Sequence, residues 1–211
     1  MSVRQDDARE RLLDAATQRF RRFGTRHTSV ESITTAAGTG KGSLYLHYQS
    51  KEELYLATVR HAVDGFLEAA AIAMHPDQPA PSRLRSLVEV AIAHYERDDL
   101  LAAPFLDDRD LLDDRAATLA RQLQRERVTD LIRTTLIDGQ RAGTIRAGLD
   151  PAVADAVLFE IGWAIVRSHL TRELPIPLGD ALHTLNDIVG HGTATRHRAT
   201  LAVASSRSFG P

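Results

Sequence analysis

Residues 36–54, AAGTGKGSLYLHYQSKEEL, hold the residue types best suited to chemistry. The GTGKGS centre offers glycines, a lysine and a hydroxyl, as in a loop whose backbone N–H groups cradle nucleotide phosphates. Such a loop needs G-x-x-x-x-G-K-[ST] between a strand and a helix. Here Lys41 is followed by Gly42, so the magnesium-binding hydroxyl is missing from its place. The preceding residues, 30–37, carry the apolar spacing of a helix rather than a strand. The nucleotide-loop reading therefore fails on spacing and on context. A helix-turn-helix instead requires a supporting helix, a tight turn holding glycine, and a second helix slim enough for the major groove of DNA. Residues 30–37, 38–40 and 41–47 supply these in order.

In that arrangement Leu44 and Tyr48, one turn apart, face a core formed with the two preceding helices. Lys41, Gly42, Tyr45, Leu46 and His47 are left nearer the outward surface. Gly42 has no side chain to keep the backbone from base edges, and Lys41 can reach a phosphate or a guanine edge. Helix N-termini at Thr28 and Ser50 aim free N–H groups at phosphates, and Lys51 adds charge there.

The elements that must position these residues are legible as helices nearly throughout. Leu12, Leu13, Ala16, Phe20 and Phe23 line one face of a first helix that stops at Gly24. TSVE reads as a capping box, with Thr28 as N-cap and Glu31 three residues on. SKEE repeats the pattern with Ser50 and Glu53, opening a long fourth helix toward Met74. The prolines of HPDQPAPS mark a linker before a fifth helix at about residues 83–97. A shorter sixth is interrupted near Pro104. A seventh runs over about 116–142. Asp150–Pro151 starts an eighth, with Asp as N-cap and Pro at the first helical position. A ninth ends near Gly190.

Composition narrows the function classes. The chain has 211 residues, 43% of them hydrophobic, enough for one or two domains with a real core. It has no cysteine, which excludes a disulfide framework and thiolate metal sites and suits a reducing cytosol. The N-terminus lacks a signal-peptide apolar run. The most apolar segment, PAVADAVLFEIGWAIV, is interrupted by Asp155 and Glu160, so no membrane span and a cytoplasmic location are expected. Net charge is −2, but residues 1–50 carry +3 and the remainder −5. A mildly basic head on an acidic body fits a small polyanion-binding module.

The segment FRRFGTRHTSVESITTAAGTGKGSLYLHYQSKEELYLATV, residues 20–59, resembles the N-terminal domain of TetR/AcrR-family transcriptional regulators. Phe20, Gly24, Thr28 to Val30, Ile33, Ala37, Gly38, Lys41, Gly42, Leu44, Tyr45, His47, Tyr48, Ser50, Lys51 and Leu54 match that family's pattern. The resemblance covers roughly residues 8–60; beyond them only helix count and order agree. It implies an all-α protein of about nine helices: a three-helix helix-turn-helix DNA-binding domain (1–50), a helical effector-binding and dimerisation domain (51–192), and a tail (193–211) expected to be disordered. Carried over by position, Lys41 and Gly42 would contact bases, with Leu46 at a variable base-reading position. Tyr45, His47 and Lys51 would hold phosphates, and Thr28 would bind one from its helix N-terminus. Three residues depart from the pattern: Thr25 for a bulkier residue, Gly40 for a serine cap, and apolar Leu46, which could meet a thymine methyl.

The resemblance implies a homodimer on palindromic operator DNA, most simply a repressor released by a small-molecule effector. The alternative is a dimer of this shape that acts as an adaptor or small-molecule binder without DNA. The eighth helix carries two apolar stripes: Ala154, Leu158, Ile161 and Ile165, and separately Phe159, Trp163, Val166 and Leu170. One can pack inward and the other on a partner. The ninth adds Leu178, Leu182, Leu185 and Val189, so helices eight and nine are the expected interface. An effector pocket is expected among helices four to eight, with His94, Tyr95, Phe105, Trp163, Arg167 and His169 as candidates. Their aromatic, Arg and His mixture suits an anionic aromatic compound. HExxH, GxSxG and GxGxxG are all missing and the nine histidines form no metal-ligand pattern, so no enzyme, metal or cofactor is expected.

Overall fold

Helix α1, Ser2–Phe23, stops where glycine permits it. Gly24 has φ of +66°, and its N–H donates to the Phe20 carbonyl at 2.9 Å. Glycine is needed there twice, because a Cβ would lie 2.1 Å from the Leu111 carbonyl oxygen. The computed structural model describes residues 2–106 and 111–193. Among the described residues there are nine α-helices, one 3-10 turn and no strand, in agreement with the all-α expectation. After α1 come α2 (Val30–Ala36), α3 (Lys41–His47), α4 (Lys51–Ala73), α5 (Ala80–Tyr95), α6 (Asp99–Ala102), a 3-10 turn (Ala103–Phe105), α7 (Asp114–Arg141), α8 (Pro151–Leu170) and α9 (Leu178–Thr193). The expectation of a disordered tail falls on residues 194–211, outside the described residues; residue 193 is the last of α9.

The caps follow the sequence at most helix starts and correct it at one. Ser50 accepts the Glu53 N–H at 3.0 Å, and the Glu53 carboxylate takes the Gln49 N–H at 2.6 Å. Asp150 caps α8 ahead of Pro151, accepting the Ala152 N–H at 2.9 Å. For α2 the N-cap is Ser29, which accepts the Ser32 N–H at 3.1 Å, and not Thr28. The Thr28 hydroxyl is already committed one step back, donating to the Gly24 carbonyl at 2.7 Å. Helix α5 begins three residues ahead of the expected Arg83, since Pro81 in its first turn lacks only an N–H that would have no partner there.

One continuous core runs the length of the molecule. Leu12, Ala16 and Phe20 of α1, Ile33 of α2 and Leu44 of α3 close over Leu54 and Tyr55 at the start of α4. Phe20 and Tyr55 meet edge to face, centroids 5.3 Å apart. Further along α4, Val59, Val63, Phe66 and Ala70 pack with α5 and α7. Each such large side chain contributes about 1.5–3 kcal/mol on burial. Helix α4 thus belongs to both ends of the molecule.

Helix α8 divides its faces differently from the two stripes expected. Ala154, Asp155, Phe159, Gly162 and Val166 are buried, and Leu158 also turns inward. The outward stripe is Val153, Val157 and Ile161, at 61%, 52% and 40% exposure. The rotation follows Asp155, which is drawn inward to accept from Arg133 Nε of α7 at 2.5 Å. The α9 residues Leu178, Leu182 and Val189 pack against their own core, leaving Ile188 exposed.

Candidate nucleic-acid interface and effector cavity

Seven residues make α3, too few to be stable alone in water, so its position is set by what it buries. Leu44 is fully buried, and Tyr48 behind it is 4% exposed. Burial raises the Tyr48 phenol above its ordinary value, with Arg9 opposing. With those two residues as anchors, the remaining face turns out: Lys41 and Gly42 are exposed, Tyr45 is 55% and Leu46 77% exposed, and His47 is half-buried. Gly40 caps α3 without a side-chain bond. Lys41 Nζ lies 3.4 Å from Glu31 Oε2 on α2, both side chains well exposed.

Two residues carried over as phosphate contacts are placed otherwise. Thr28 is 2% exposed, with its hydroxyl turned toward α1. Lys51 folds back, and its Nζ donates to the carbonyls of Thr25 at 2.7 Å and Thr28 at 3.1 Å. Lys51 thereby holds the α1–α2 loop against α4, while Thr28 closes that loop onto the end of α1.

A set of contacts that sequence reasoning missed joins this head to the helices beyond. Arg21 forms a forked ion pair with Asp98, its Nε 3.0 Å from Oδ1. That bond raises the Arg21 pKa, more than burial lowers it. Thr25 Oγ1 donates to Asp113 Oδ2 at 3.2 Å, and the Arg26 N–H to the Leu111 carbonyl at 3.3 Å. Asp98 and Asp113 are also the N-caps of α6 and α7. The signal in the sequence was only the cap pattern; nothing local named the distant partners.

The candidates for effector binding separate into two groups. Tyr95, Phe105 and Trp163 come together, with Phe105 and Trp163 centroids 4.0 Å apart and Tyr95 5.2 Å from Trp163. Tyr95 and Trp163 line a crevice with Phe66, Leu87, Val88, Ala91, Val128, Ile132, Leu158 and Phe159. It encloses about 420 Å³ of space, part of it open to solvent. A neighbouring crevice of about 470 Å³ under α9 shares Leu87, Val88, Ile132 and Leu158 with it. The other three candidates lie elsewhere. His94 bonds the Val90 carbonyl at 3.0 Å and sets its ring edge against Phe66. His169 Nε2 is 2.7 Å from Glu96 Oε1, and Arg167 is exposed on α8. No charged side chain lines the aromatic crevice, so the expectation of an anionic ligand loses its cations.

A short exposed helix pinned by two buried residues, continuous with a helical body that holds an apolar crevice, defines the class: an all-α protein with an N-terminal helix-turn-helix. The sequence model "Bacterial regulatory proteins, tetR family" matches residues 12–58. Over those residues the chain carries the pattern of the TetR family of bacterial regulators, and the relatives it resembles along more of its length are transcriptional regulators. It is 28% identical over 159 residues to the transcriptional activator FasR of Mycolicibacterium smegmatis, covering 74% of this chain and 73% of that one. It is 27% identical over 172 residues to the transcriptional repressor DhaR of Mycobacterium sp. strain GP1, covering 78% and 83%. In fold it is similar to FadR of Bacillus subtilis, solved in complex with stearoyl-CoA, with a TM-score of 0.64, 20% identity, and coverage of 87% and 98%. Among the described residues no helix is long and apolar enough to cross a membrane, and no group of three or more His, Asp or Glu could hold a metal ion.

Proposed function

We propose that the protein is a ligand-responsive repressor that binds palindromic operator DNA as a homodimer and releases it when a small molecule enters the body. In this reading residues 1–50 are the DNA-binding unit and 51–192 the effector-binding and dimerising unit. The observation that carries it is α3 itself, anchored by Leu44 and Tyr48 with Lys41, Gly42, Tyr45 and Leu46 exposed on its outer face. Lys41 and Gly42 meet base edges, Leu46 meets a base position, and Tyr45 and His47 hold phosphates. Thr28 and Lys51 serve from behind, fixing the loop that sets the angle of α2 and α3. Tyr95, Phe105 and Trp163 form the effector end. The outward stripes of α8 and α9 meet their copies in a partner, and the two-fold axis imposes the operator's symmetry.

Relatives include an activator and a repressor, so the sign of regulation rests on the simplest mechanism, steric block of a promoter. The test is a footprint of the purified protein on the DNA upstream of its own coding sequence, repeated across salt. A protected, two-fold symmetric site that Lys41→Ala abolishes supports the reading. A dimer that binds ligand but protects no DNA would transfer it to the adaptor alternative.

A further inference from the structure

The stripe of α7 that faces the core runs Ala116, Ala120, Gln124, Val128, Ile132, Leu136, each four residues from the last. One member is polar. Gln124 is fully buried, and its Oε1 accepts from the Tyr95 hydroxyl at 2.8 Å. Its Nε2 has no hydrogen-bond partner among the described residues. Tyr95, Val128 and Ile132 all line the aromatic crevice, and Gln124 stands behind that lining, bonded to Tyr95 and one turn before Val128 on α7. A buried amide donor left unmade is costly and calls for an acceptor from outside the protein. The same crevice is otherwise apolar and aromatic, and an anion or cation entering it would lose its hydration without a counter-charge.

We infer that the effector is a neutral, largely apolar molecule with a carbonyl acceptor, whose oxygen takes the Gln124 Nε2 hydrogen while its apolar part lies against Trp163 and Phe66. This rests on the reading of the body as an effector domain and names the ligand class of that site. The carbonyl oxygen gives Nε2 an acceptor with Tyr95 still donating to Oε1, so no group in the crevice has to change charge. Neither Arg167 nor His169 takes part.

Trp163 is the chain's single tryptophan, so its fluorescence reports this site in the full-length protein. Four probes separate the chemistries: valerophenone, pentylbenzene (its carbonyl replaced by methylene), phenylvalerate as anion and phenylbutylamine as cation. Wild-type protein is expected to bind valerophenone roughly five- to tenfold more tightly than pentylbenzene, the worth of one neutral hydrogen bond. Both charged probes should bind more weakly than valerophenone. The double variant Tyr95→Phe with Gln124→Leu removes both polar groups, avoids stranding either, and should bind the two neutral probes equally. Circular dichroism confirms that it folds. The inference is overturned if the ketone shows no advantage in the wild type, if its advantage survives in the double variant, if a charged probe binds best, or if none of the four binds. Operator release is read in parallel. Ketone binding of the expected pattern without release would leave the ligand class standing and defeat the effector reading instead.

Discussion

Lys41 and Lys51 are the chain's two lysines and sit ten residues apart, yet their surroundings give them different work. The Lys41 ammonium faces water beside Glu31, in an exposed pair worth about 0–1 kcal/mol, which on the proposed function a phosphate or a guanine edge would displace at little cost. The Lys51 ammonium is spent on two carbonyls of the α1–α2 loop. Salt dependence distinguishes them, because each lysine that neutralises a phosphate adds about one counterion to the slope. Lys41→Ala is expected to reduce the slope of log affinity against log salt by about one. Lys51→Met should leave the slope unchanged and lower stability by about 2 kcal/mol, the scale of charge-assisted bonds that are only partly buried. Binding isotherms over a salt series, with thermal melts of each variant, check both. A slope reduced by one in the Lys51 variant would return that residue to the DNA surface. The outward face of α3 was legible from sequence because Leu44 and Tyr48 fix it by spacing alone. The inward turn of Lys51 was not, since its partners lie 26 and 23 residues away.

At the scale of elements, the head and body meet through helix ends. Asp98 starts α6 and grips Arg21; Asp113 starts α7 and receives Thr25. Each carboxylate therefore serves as cap and as joint, so a helix that shifts carries its joint with it. At the other end of the same segment, Phe105 of the 3-10 turn packs on Trp163, which lines the aromatic crevice. On the proposed function, a ligand that parts those rings is expected to shift residues 99–105 and, with them, the carboxylate holding α1. Arg21→Ala is expected to leave ligand affinity and operator affinity, each measured alone, close to wild type. It should cut the effect of ligand on operator binding by about 1 kcal/mol or more, within the usual range of coupling energies. Operator titrations with and without saturating ligand measure this, and an unchanged ratio would exclude the joint as the route. The caps themselves were readable, as Ser50 and Asp150 demonstrate. Thr28 misled because Ser29 beside it offers the same chemistry and the carbonyl of Gly24 competes for the threonine hydroxyl. Pairings such as Arg21 with Asp98, 77 residues apart, leave no periodic trace in sequence.

For the molecule as a whole, alkaline stability follows from buried phenols. Burial raises the Tyr55 and Tyr95 pKa values well above the ordinary 10.0. Groups raised in this way favour the folded state fully below pH 10, and that stability is lost as pH climbs and only the unfolded chain can ionise. Phenolate absorbance of these tyrosines is expected to appear together with loss of helix in one step above pH 10. Exposed Tyr45 ionises ahead of that step, so a rise amounting to all four tyrosines with helicity intact would contradict their burial. The proposed dimer is to be sought in what the single chain leaves uncovered. Val153, Val157 and Ile161 form an apolar stripe along α8, and Ile188 of α9 is 65% exposed. Helical periodicity revealed that α8 has more apolar surface than one contact needs; the choice of stripe was settled only by Asp155 turning in to Arg133. In an isologous dimer each residue near the axis meets its own copy, so one substitution is felt twice. Val157→Glu would set two carboxylates against each other in an apolar seam, a cost of several kcal/mol. It is expected to yield a folded monomer by light scattering at micromolar concentration. Operator affinity should then fall to that of a single half-site. Ile72 on α4 is 80% exposed and away from that stripe, so Ile72→Glu should leave dimer and operator binding intact. A dimer that survives Val157→Glu would place the seam elsewhere on the body and separate the spacing of the two recognition helices from α8 altogether.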